Sequence, residues 1–160
     1  GPLNAAMLGF PSPESARGVD NAVLGRAAAR QGNYEEAENF FTDALAILRN
    51  DPGADPDALA WQELWLGAVQ ARQPGQLARD RGRETLERVL QASIERLGED
   101  HALTLMIREE IGLLLRRMGR HAEADEVLRA AADGWGRSIG PDHPWAARIS
   151  RLVPEPPPAP

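Results

Sequence analysis

A unit of 42 to 45 residues recurs three times along this chain, and few folds can be built from such a repeat. The first copy reads Leu24-Gly25 followed by Arg30-Gln31-Gly32. The second reads Leu66-Gly67 followed by Arg72-Gln73-Pro74-Gly75, and the third Ile111-Gly112 followed by Arg116-Arg117-Met118-Gly119. A small residue comes next in each copy, Ala37, Gly82 or Ala124. Each copy then closes on a related turn: Gly53-Ala54-Asp55-Pro56, Gly98-Glu99-Asp100-His101 or Gly140-Pro141-Asp142-His143-Pro144. Leu24 to Leu66 is 42 residues and Leu66 to Ile111 is 45, whereas Ala37 to Gly82 is 45 and Gly82 to Ala124 is 42. One three-residue insertion near Gln73 to Ala78 accounts for both departures.

Composition says what each copy is made of. Alanine, leucine and arginine are the commonest residues, all 18 basic residues are arginine, and there is one tyrosine. Strong helix formers with few β-branched or aromatic residues predict an all-α chain. Each unit reads as two helices. The first carries the Leu-Gly pair and ends at Gly32, Gly75 or Gly119, since glycine tolerates the left-handed C-terminal conformation. The second buries Ala37, Phe41, Ala44 and Leu48, or Gly82, Leu86 and Val89, or Ala124, Leu128 and Ala131, at helical spacing. The closing glycine stops it, and the aspartate two residues later (Asp55, Asp100, Asp142) is placed to cap the next helix. Pro56 then falls in a first helical turn, where its missing N–H costs little.

At the ends, Gly1-Pro2 reads as a remnant of tag removal, and residues 3–10 bring Leu3, Met7, Leu8 and Phe10 together as an apolar segment. Ser12 and Pro13 mark the start of the first helix. A last helix is expected over about 142–152, capping the third unit, and the proline-rich residues 153–160 form an extended tail or linker. There is no cysteine, which removes disulfides, thiolate nucleophiles and cysteine-bound metals. The net charge of −6 argues against general nucleic-acid binding. No apolar run approaches the ~18–20 residues that cross a bilayer. No secretion signal is visible, so a cytoplasmic location is expected, and the alanine–arginine bias points to a GC-rich bacterial genome.

These signature positions resemble the tetratricopeptide repeat (TPR): Leu24/Leu66/Ile111, Gly25/Gly67/Gly112, Ala37/Gly82/Ala124, Phe41/Leu86/Leu128 and Ala44/Val89/Ala131. The long unit and its Gly-x-Asp-His link resemble the kinesin-light-chain subtype, over roughly residues 12–149. The resemblance implies a right-handed superhelical solenoid of three helix-turn-helix units, about 12–52, 53–97 and 98–139, plus the capping helix. It also implies a non-catalytic protein-binding role. The asparagine pair that the subtype carries before its signature leucine is replaced by Ala22-Val23, Leu64-Trp65 and Glu109-Glu110, so the cargo chemistry of that family does not transfer.

In such a solenoid the first helices of the units line the concave face. The inner positions are Val19, Ala22, Val23, Arg26, Ala29 and Arg30 in the first unit. The second contributes Trp61, Leu64, Trp65, Ala68, Ala71 and Arg72, and the third Met106, Glu109, Glu110, Leu113, Arg116 and Arg117. This predicts an apolar groove centred on Trp61 and Trp65, with Val19, Val23, Leu64 and Met106, rimmed by Arg26, Arg30, Arg72 and Arg116. Glu109 and Glu110 would repel a wrongly oriented ligand. The expected ligand is an acidic peptide or an amphipathic helix of a partner protein. Homodimerisation through the same surface, and a regulatory domain sensing a small ligand, are the alternatives. His101 and His143 belong to the repeat, and His121 lies in a turn beside Glu123. No catalytic or phosphate-binding motif occurs, so neither catalysis nor a metal or other cofactor is expected. Trp135 and Trp145 are expected to pack the third unit against its cap.

Overall fold

A computed structural model gives the fold; it describes residues 13–153, with side chains from Arg17 onward. Seven helices follow one another: α1 (Pro13–Arg30), α2 (Tyr34–Arg49), α3 (Pro56–Arg72), α4 (Gln76–Leu97), α5 (Ala102–Arg117), α6 (His121–Ile139) and α7 (Pro144–Leu152). The described residues contain no strand. Ser12, the apolar residues 3–10 and the prolines of 154–160 lie outside the described residues. The chain divides into two compact units, residues 1–85 and 86–160.

In the first unit α1 pairs with α2, and α2 with α3. Gly25 and Phe41 meet where α1 and α2 cross. A Cβ on Gly25 would stand 2.9 Å from the Phe41 ring, so the bare backbone admits that ring, which is fully buried. Around it Ala28, Ala37, Leu45, Leu66 and Val69 form one apolar cluster. The second unit repeats the device: a Cβ on Gly112 would stand 2.6 Å from the buried side chain of Leu128. The turns repeat as well. Asn33 N–H donates to Ala28 at 2.9 Å and Arg120 N–H to Leu115 at 2.9 Å, each wrapping a glycine with φ of 79° or 78°. This bond pattern satisfies carbonyls that a helix end leaves open. The insertion enters at the second of these turns, where Pro74 lengthens the link and α4 extends to 22 residues.

The helix starts depart from expectation in one respect. Asp55 caps α3 as predicted, accepting from Asp57 N–H at 3.0 Å. For α5 and α7 the cap is the histidine one residue beyond the predicted aspartate. His101 Nδ1 accepts from Leu103 N–H and His143 Nδ1 from Trp145 N–H, both at 3.2 Å. Asp100 instead receives two bonds of 3.0 Å from the Arg137 guanidinium, tying the turn to the end of α6. In the second unit α7 lies on α6, where Ala146 and Ile149 join Leu105, Ala131 and Trp135 in a buried cluster. Trp145 meets Trp135 edge to face at 5.6 Å but remains 53% exposed.

Candidate functional site

Helix α1 carries Val19, Val23, Arg26 and Arg30 at successive turns, and a stripe of that spacing occupies one face. Val19 is 57% and Val23 49% exposed, and both arginines reach solvent without an ion pair among the described residues. Apolar side chains left in water beside exposed guanidinium groups have a chemistry suited to an amphipathic, acidic ligand.

Helix α3 adds the tryptophans at matching register. The Asp55 cap and Pro56 fix where α3 begins, and hence the face on which Trp61, Trp65, Ala68 and Arg72 fall. Trp61 and Trp65 are half-buried, and Trp65 packs against the cluster of Phe41 and Leu66. These rings therefore serve packing as well as surface. Leu64 is a correction: at 2% exposure it belongs to the core and not to a groove. Ala22, Ala68 and Ala71 are likewise buried. Arg72 turns back to donate to the Ala68 carbonyl at 2.9 Å.

Beneath the α3 end lies a polar knot that the repeat pattern does not announce. Glu38 of α2 accepts from Gln73, from Gln70 at 3.1 Å and from Arg81 at 3.3 Å, while Thr85 donates to Gln70 at 2.7 Å. Burial would raise the Glu38 carboxyl, but the bonds from Gln73, Gln70 and Arg81 outweigh it and hold it below the usual glutamate range. An open cleft of about 860 Å³ lies between residues 32–39 and 73–81, bordered by Tyr34, Pro74 and Leu77.

In the second unit the predicted inner residues are largely engaged within the chain. Met106 is half-buried against the Trp135 cluster. Glu109 is a second correction. It is buried, accepting from Trp135 Nε1 at 2.6 Å and from Arg148 Nη2 at 3.0 Å. Burial pushes its carboxyl above the ordinary value despite those two donors, and the neighbouring Glu110 adds to the rise. Arg116 is a third, because it bonds Asp125 at 3.2 Å and the carbonyl of Leu152, clamping α7 and leaving no free rim charge. Glu110 is half-buried, and both it and Arg117 have partners within the chain. The indole of Trp135, on the buried face of α6 with Leu128 and Ala131, was the available sign that a buried acceptor is needed. No group of three or more potential metal ligands occurs among the described residues.

Residues 22–55, on the α1–α2 hairpin, and residues 104–144, on α5–α6, each match a tetratricopeptide-repeat family model. The chain is built of tetratricopeptide repeats. Two solved structures are similar in fold. BtubC (BKLC) from P. vanneervenii is 20% identical with a TM-score of 0.68, covering 85% of this chain and 52% of that one. A crystal structure of a candidate kinesin light chain with nearly identical TPR-like repeats, from Podosopora anserina, is 18% identical with a TM-score of 0.66. It covers 84% of this chain and 63% of that one. The TPR chain thus spans between about half and two thirds of the length of these neighbours, and the likeness is one of fold. No curated protein matches it.

Proposed function

We propose that this TPR chain is a non-catalytic protein-binding module whose first unit takes an acidic amphipathic helix or peptide along α1 and α3. TPR repeats generally mediate protein–protein interaction, which supports the class of function. The observation that carries the finer reading is the exposure of Val19 and Val23 on the same stripe as Arg26 and Arg30. Trp61 and Trp65 flank that stripe by repeat register, and tryptophan and arginine are the residue types that most often dominate binding energy. Helix α5 contributes less than expected, because Glu109 and Arg116 are spent inside the fold. No described helix is long and apolar enough to cross a membrane.

A displayed library of helical peptides, selected on the whole chain, tests this. Enriched binders should be acidic and amphipathic. They should lose at least tenfold in affinity on Val19→Glu with Val23→Glu, and should weaken on Arg26→Glu with Arg30→Glu, while the melting temperature holds. Binders indifferent to all four positions would overturn the assignment. Concentration-dependent sedimentation that disappears with Val19→Glu and Val23→Glu would assign the stripe to homodimerisation instead.

A further inference from the structure

The one break in the repeat period, three residues inserted near Gln73 to Ala78, coincides with the most exposed large apolar side chain of the described residues. That side chain is Leu77, at 74% exposure. With Pro74 it stands on one wall of the open cleft of about 860 Å³. The opposite wall is the turn before α2 and the start of that helix, including Tyr34, Glu35, Glu36 and Asn39. Ligand-binding clefts commonly enclose about 300–1,000 Å³, and this one falls in that range.

Glu38 of α2 ties the two walls together, accepting from Gln73 and, at 3.3 Å, from Arg81. The cleft is therefore fixed before anything enters it, which spares a ligand part of the cost of ordering. The same bonds decide its charge. Arg81 is matched by Glu38, whereas Glu35 and Glu36 are exposed and form no ion pair among the described residues. Two uncompensated negative charges thus lie beside an apolar strip of Tyr34, Pro74 and Leu77, the reverse of the arginine-bearing stripe on α1. The geometry points to a second docking site, at the turns of the first unit, for a basic peptide segment of a partner protein. In that segment a large apolar side chain stands between two arginines or lysines. The apolar side chain covers Leu77 and Pro74, the cations meet Glu35 and Glu36, and the exposed Asn39 amide bonds the peptide main chain. Residues 1–12 and 154–160 contain no arginine or lysine, so neither segment offers the side chains that this charge selects.

A capped five-residue peptide alternating arginine with leucine, arginine at both ends, is the probe. It is titrated into the isotope-labelled intact chain and followed by amide chemical shifts. Saturable shifts centred on residues 32–39 and 73–81 are expected, and affinity should fall severalfold between about 50 and 300 mM salt. Glu35→Gln with Glu36→Gln should weaken binding at least tenfold, and Leu77→Ser at least threefold. A peptide with glycine in place of leucine should also bind at least threefold more weakly. Val19→Glu with Val23→Glu should leave binding unchanged, which separates failure here from failure of the α1–α3 reading, and the melting temperature of each variant confirms folding. Shifts that do not saturate at millimolar peptide, or binding indifferent to Glu35 and Glu36, overturn the proposal. Binding indifferent to Leu77 also overturns it, leaving only general attraction of a cation to an acidic chain. So does a dimer of the chain that Glu35→Gln with Glu36→Gln dissociates, because a second copy would then own the cleft.

Discussion

The indole N–H of Trp135 points at the Glu109 carboxylate, Nε1 to Oε1 at 2.6 Å, and Arg148 reaches the other oxygen at 3.0 Å. Three helices, α5, α6 and α7, thus meet at one buried acid. An unpaired buried charge is costly, and these two donors are what let Glu109 stay inside.

Glu109 makes the stability of the fold depend on pH in a defined direction. Its carboxyl is raised above the ordinary value of 4.5, chiefly by burial, so the folded chain holds that proton more tightly than the unfolded chain. Its contribution is therefore present below 4.5 and falls as pH rises through the folded value. Glu109→Gln removes the titrating group. Urea unfolding from about pH 4 to 8 should show the wild-type-minus-variant difference declining across the weakly acid range and then levelling.

Trp65 and Trp61 should respond differently to truncation. Trp65 packs against the cluster of Phe41 and Leu66, so Trp65→Ala removes core contacts as well as surface. Half-buried, it should cost about 2 kcal/mol, below the ~3–5 kcal/mol of a fully buried tryptophan. Trp61→Ala should cost less. Thermal melts of the two single variants measure the gap, and equal losses would mean that Trp61 is also core.

The histidine caps can be improved. His101→Asp keeps an acceptor for the Leu103 N–H and adds a negative charge at the start of α5, which should stabilise by about 0.5–1 kcal/mol. His101→Ala should destabilise by about 1 kcal/mol. Chemical denaturation at neutral pH checks both signs.

Two glycines should behave in opposite ways. Gly112→Ala drives a methyl to within 2.6 Å of buried Leu128 and should cost about 1–3 kcal/mol. Gly136 lies inside α6 with nothing within 4 Å of a Cβ, so Gly136→Ala should stabilise by about 0.5–1 kcal/mol. Paired denaturation curves decide.

Local pattern carried much of the fold. Gly25 with Phe41 and Gly112 with Leu128 follow from small and large residues recurring at fixed separation, because each hairpin must bury its own seam. The Asp55 cap was equally legible. Leu64 was not, since a position template gives the angle of a side chain around its helix and not the nearness of a neighbour. Glu109 was misread for a different reason. Its letter suggests solvent, and only partners 26 and 39 residues away, Trp135 and Arg148, reverse that. Leu24 shows the converse, exposed although Leu66 and Ile111 at the same repeat position are buried.

The edge-to-face contact of Trp135 with Trp145 makes the chain its own optical gauge. One chromophore is sealed and the other wet, and their coupled transitions depend on α7 staying seated. Detachment of that terminal helix would change near-ultraviolet ellipticity and quencher access at once, while the hairpins beneath kept their amide signal. Fraying at this end can thus be told from collapse of the whole, with no label attached.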